Sequence, residues 1–85
     1  MELTVRTHDR VQGGKLDVED PSGANTTVEE LLNVLRQEFG LDPSDDYFMR
    51  SDRLGKQLDP RKTLADAGVQ EGDVLEVVPI IQAGR

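Results

Sequence analysis

Cysteine is absent from the 85 residues, so no disulfide and no thiolate-bound metal holds this chain together. The same absence removes a thiol nucleophile: the chain cannot itself carry a thioester and can only be the cargo of such chemistry. Tryptophan is missing too, and the one histidine, His8, lies in a polar stretch with no partner for general-base or metal work. No apolar run approaches the roughly 18 residues that a membrane span needs. The start, Met1-Glu2-Leu3-Thr4-Val5-Arg6, lacks the charged-then-apolar layout of a signal peptide, and the expected location is cytoplasmic. Positive charge is scarce, with Lys+Arg 10 against Asp+Glu 17 and a net charge of −7. Such a surface repels phosphate, which argues against nucleic acid and anionic membrane as partners.

The hydrophobic residues, 35% of the chain, recur in short segments, which points to a folded monomer with room for one small core. Leu3 and Val5 alternate with Glu2, Thr4 and Arg6, the period of a half-buried strand. A polar stretch ending in Gly13-Gly14 predicts a reversal, and Lys15-Leu16-Asp17-Val18-Glu19 predicts the returning strand. After turn-forming Asp20-Pro21-Ser22-Gly23-Ala24-Asn25, Thr27 and Glu30 have the spacing of a capping box. Val28, Leu31, Leu32, Leu35 and Phe39 then share one helical face, and Gly40 ends the helix. Asp46 to Arg50 predicts a third strand with Phe48 inward and Tyr47 and Met49 outward. Lys56-Gln57-Leu58 makes a short return strand, Thr63 to Gly68 suits one helical turn, and Asp73 to Val78 forms the last strand with Leu75 and Val77 inward. Pro79 lacks the amide that pairing requires and should end it. The order strand, strand, helix, strand, strand, strand predicts an α+β layer of one helix across a mixed sheet of four to five strands. Residues 1–78 make the domain and 79–85 a flexible tail.

Met1-Glu2-Leu3-Thr4-Val5-Arg6-Thr7, Gly40-Leu41-Asp42-Pro43, Leu54-Gly55-Lys56-Gln57-Leu58-Asp59 and Thr63-Leu64-Ala65-Asp66 stand in the order and spacing of ubiquitin's segments. Over nearly its whole length the chain resembles the ubiquitin-like family, which implies the β-grasp fold and action by protein contact. Three places stand out as candidate sites, the first two marked by the resemblance. In the tail, Ala83-Gly84 falls where relatives carry Gly-Gly, with Arg85 one residue beyond. It implies a Gly84 carboxylate adenylated by an activating enzyme once a processing protease has removed Arg85. Six extended residues from Pro79 to Gly84 span at most about 20 Å, enough to enter a buried active centre. On the sheet, Met49 and Val78 fall at ubiquitin's surface isoleucine and valine, and Glu76 replaces the histidine between them. Tyr47, Met49 and Val78, rimmed by Arg6, Lys56 and Glu76, are the expected partner patch. Third, Ile80-Ile81 are adjacent β-branched residues whose side chains point in opposite directions when extended, so at least one is expected to be exposed; the pair either serves a partner's sheet or groove or folds back onto the protein's own rim.

Carboxylate pairs such as Asp45-Asp46 and Glu29-Glu30 read as a solvated loop and a helix start, so no catalytic residue, metal or cofactor is expected. Lys56 also matches a ubiquitin linkage lysine, and an exposed lysine beside a turn is equally an ordinary solvated residue. Two functional readings follow: a protein modifier activated at Gly84, or a non-conjugated β-grasp subunit of a host assembly such as a secretion or oxygenase complex. A sulfur-carrier-like role is a variant of the first.

Overall fold

A computed structural model describes residues 1–7, 13–42 and 44–80. The elements are β1 (Glu2–Thr7), β2 (Gly13–Asp17), α1 (Val28–Glu38), β3 (Tyr47–Ser51), β4 (Lys56–Gln57) and β5 (Val74–Pro79). They form one sheet in the order β2-β1-β5-β3-β4. β1 and β5 run parallel at its centre, and the other three pairings are antiparallel. A parallel central pair needs a long crossover, which α1, β3 and β4 together supply. The architecture is the expected α+β β-grasp, with the helix covering one face of the sheet.

Alternation sets β1: Leu3 and Val5 are buried while Glu2 and Arg6 are exposed. Helix α1 starts at a complete capping box, with the Glu30 amide donating to Thr27 Oγ1 at 3.1 Å and the Thr27 amide to Glu30 Oε1 at 3.0 Å. It ends where Gly40 takes φ +62° and the Leu41 amide donates back to the Arg36 carbonyl at 3.1 Å, satisfying a terminal acceptor. Val28, Leu31, Leu32 and Leu35 are buried against Leu3, Val5, Met49, Leu75 and Val77 of the sheet, and Leu58, Leu64 and Val69 close the rim. Replacing Thr27 by alanine is expected to cost about 1 kcal/mol in urea denaturation, and serine in its place about none, because only the hydroxyl oxygen serves the cap.

Three local expectations are corrected. The glycine pair does not make the reversal: Gly13 and Gly14 lie inside β2 opposite Arg6 and Val5, and a Cβ on Gly14 would meet the Phe39 ring at an ordinary contact distance of 3.4 Å. The expected tip residue His8 lies outside the described residues. Pro79 does not end pairing, because β5 includes it opposite Tyr47 and the Ile80 amide donates to the Asp46 carbonyl at 2.8 Å. The third strand also has the opposite parity from that expected. Met49 is 1% exposed and in the core, while Phe48 is half-buried on the other face.

Thr63–Gly68 makes a hydrogen-bonded turn in which the Thr63 carbonyl accepts from the Ala67 amide at 2.9 Å and its hydroxyl from the Asp66 amide at 3.1 Å. The turn at Pro21–Asn25 is pinned by Asp20, whose carboxylate accepts from the Asn25 amide at 2.9 Å. That amide holds the Asp20 carboxyl below the usual range.

Candidate functional site

The face of the sheet away from α1 is built from the outward residues of four strands. Phe48 stands opposite Val78, and Arg50 stands opposite Glu76. Arg6 flanks Glu76 on the other side, and Gln57 follows Arg50. The result is a polar row, Arg6-Glu76-Arg50-Gln57, running across the strands. Asp52 at the end of β3 ties it together by accepting an ion pair from Arg6 and a second from Arg50 at 3.8 Å. Beside the row lies an apolar strip. Phe48 and Val78 are half-buried as a cross-strand pair. Ile80, 44% exposed, stands two residues past Val78 with its amide bonded to Asp46, so it continues the same alternation.

The predicted patch of Tyr47, Met49 and Val78 is not assembled. Met49 is in the core, and Tyr47 packs on the helix side, where the Arg36 guanidinium lies 5.2 Å from its ring centre and its hydroxyl accepts from the Asp42 amide at 3.2 Å. Val78 remains outward, partnered by Phe48 in place of Met49. Glu76 is outward as expected, while Lys56 pairs in register with inward-facing Ser51 and is therefore turned away from the outer face. A one-residue change of parity exchanges every side chain between faces. The overlooked signal is Arg50. With Phe48 inward, strand alternation buries Arg50 as well. With Met49 inward, it buries Ser51, whose hydroxyl oxygen accepts from the Leu54 amide at 3.2 Å. Ile81, Ala83, Gly84 and Arg85 lie outside the described residues.

Away from this face the shifted carboxylates brace loops. Burial pushes the Asp73 carboxyl up, but Arg53 and the Gln70 amide outweigh it, and the net shift is downward. Arg53 Nε donates to Asp73 at 2.9 Å, its other nitrogen reaches Asp73 and the Gly68 carbonyl, and the Gln70 amide donates at 2.9 Å. The Ser44 amide and hydroxyl lower Asp42, and Arg61 lowers Asp59. Among the described residues no group of three His, Asp or Glu side chains is placed to hold a metal ion.

A helix-covered mixed sheet with a parallel central pair, presenting an apolar strip beside a charged row, defines a ubiquitin-like domain of the protein-interaction class. Residues 12–78 match the family model described as ubiquitin-2 like Rad60 SUMO-like, and the chain belongs to that family. A de novo designed protein based on ubiquitin is similar over 100% of this chain and 94% of its own, with 26% identity and a TM-score of 0.74. Comparison with curated proteins gives no match.

Proposed function

We propose that this protein acts by docking other proteins on its outer sheet face, with the segment after Ile80 as its effector end. The observation that carries the reading is the Phe48, Val78 and Ile80 strip, which follows β5 as far as Ile80. Three neighbouring outward apolar side chains on so small a domain gain burial only when a partner covers them. In the modifier form of the proposal, hydrolysis of the Gly84–Arg85 bond exposes the Gly84 carboxylate. That carboxylate attacks the α-phosphorus of ATP on an activating enzyme, pyrophosphate leaves, and an acyl-adenylate forms. The enzyme's thiolate then displaces AMP, and a target lysine amine finally displaces the thiolate. The protein is the acyl group throughout and contributes no catalytic side chain.

Mass spectrometry of the protein recovered from its native host tests this. The expected result is a Gly84 terminus in isopeptide linkage to a target lysine, lost in a Gly84→Asp variant. Free chain with the Gly84–Arg85 bond intact throughout, together with partner binding that survives deletion of Gly84 and Arg85 but not Val78→Asp, assigns the protein instead to the non-conjugated subunits.

A further inference from the structure

Past Val78, the hold of β5 on β3 comes down to one backbone bond, in which the Ile80 amide donates to the Asp46 carbonyl at 2.8 Å. By antiparallel alternation the preceding β5 amide turned toward β3 is that of Val78, opposite Phe48. Between the two, Pro79 stands opposite Tyr47 and has no amide to donate. Ile80 is 44% exposed, so its side chain adds little hold of its own. Breaking the Ile80 bond therefore loosens Pro79 and Ile80 together from β3, and the peeling stops at Val78.

The acceptor of that bond is braced from the helix. Arg36, in the last turn of α1, donates through one guanidinium nitrogen to the Asp45 carbonyl at 3.0 Å and to the Asp42 carbonyl at a longer 3.5 Å. Its guanidinium also lies 5.2 Å from the Tyr47 ring centre, and the Tyr47 hydroxyl accepts from the Asp42 amide at 3.2 Å. One side chain thus grips the residue before Asp46 and the residue after it. Arg6, Arg50, Arg53 and Arg61 each pair with a carboxylate, whereas Arg36 has no carboxylate partner among the described residues and is committed to this stretch of backbone and its ring.

We infer that Arg36 is a positioning residue for the effector end: through Asp45 and Tyr47 it holds the Asp46 carbonyl in place, keeps Ile80 on the sheet and so sets how much chain is free. Resting on the reading of the segment past Ile80 as that effector end, the consequence is one of reach. The four residues from Ile81 to Gly84 span at most about 13 Å, against about 20 Å for the six from Pro79. A partner whose reactive centre lies deeper than the shorter reach must open the clamp, and contact with Arg36 or Tyr47 on the helix side is the way to open it.

Hydrogen exchange of the full ¹⁵N-labelled chain tests this, because it reads the Ile80 and Val78 amides separately. The expected result is an Ile80 amide protected in the wild type and exchanging about fivefold faster in Arg36→Ala, the scale of one net hydrogen bond, with Val78 changed by less than about twofold. Gln37→Ala, at the exposed neighbouring position of the same helix, should leave both amides unchanged. Should Arg36→Ala lose its fold by circular dichroism, Tyr47→Phe, which keeps the ring and removes only the hydroxyl, carries the same comparison. An Ile80 amide unprotected in the wild type, no acceleration in the variant, equal acceleration at Val78, or the same effect from Gln37→Ala would each overturn the assignment. The readout involves no conjugation, so its failure leaves the Gly84 reading standing, and an intact Gly84–Arg85 bond in the host leaves the clamp standing.

Discussion

Truncating Met49 to alanine is expected to destabilise the domain by about 3 kcal/mol, and truncating Phe48 by about 1 kcal/mol or less. Met49 is 1% exposed, enclosed between α1 and the sheet, so its removal loses the transfer energy of the side chain and leaves a cavity that rigid neighbours fill only in part. Phe48 is larger but half-buried, and water replaces what it loses. Domains of this size have only a few kcal/mol to spare, so the Met49 variant should be partly unfolded at ambient temperature. Urea denaturation of the two variants side by side decides the matter. A costlier Phe48→Ala would show that the strand has the opposite parity and that the outer strip is misassigned.

Replacing Asp73 by alanine is expected to cost about 2 to 3 kcal/mol at neutral pH, the scale of hydrogen bonds to a buried charged acceptor. The carboxylate, 7% exposed, holds the Arg53 guanidinium and the Gln70 amide, and through Arg53 the Gly68 carbonyl, so one side chain ties the turn after β3 to the loop before β5. Arg53 is partly exposed and recovers hydration when the pair is broken, which keeps the loss within that range. Because the folded carboxyl titrates below its ordinary value of about 3.9, the stabilisation is complete above that pH and fades as pH falls through the lowered folded value. Asp20, Asp42 and Asp59 shift in the same direction and add to the acid sensitivity. Denaturation at pH 7 and again below pH 3 should therefore show the gap between wild type and Asp73→Ala narrowing in acid. A gap independent of pH would mean that Asp73 acts by shape alone.

Much of the molecule is legible one element at a time. Thr27 and Glu30 at capping spacing, the apolar stripe from Val28 to Leu35 and the stop at Gly40 are local features, and the helix appears where they place it. Leu3 and Val5, and likewise Leu75 and Val77, lie inward as their alternation requires. The candidate site was less legible. Val78 and Glu76 are outward on β5, but their neighbour across the strand pair is Phe48, and Tyr47 belongs to the helix side. At the β4 edge the sequence shows only Lys56, an exposed lysine beside a turn. Its second lysine, Lys62, arrives from a loop six residues later, a meeting that no local pattern encodes.

By itself the sequence determined the kinds and order of elements and the class of fold, since capping, helical pitch and strand alternation act over a few residues. Which side of β3 is buried, how far β5 extends past Val78, and which charges share a surface were decided only by tertiary structure. Tyr-Phe-Met-Arg-Ser offers apolar side chains to both faces. Pairing with β5 and cover from α1 on one side alone turn Met49 and Ser51 inward and leave Phe48 and Arg50 outside.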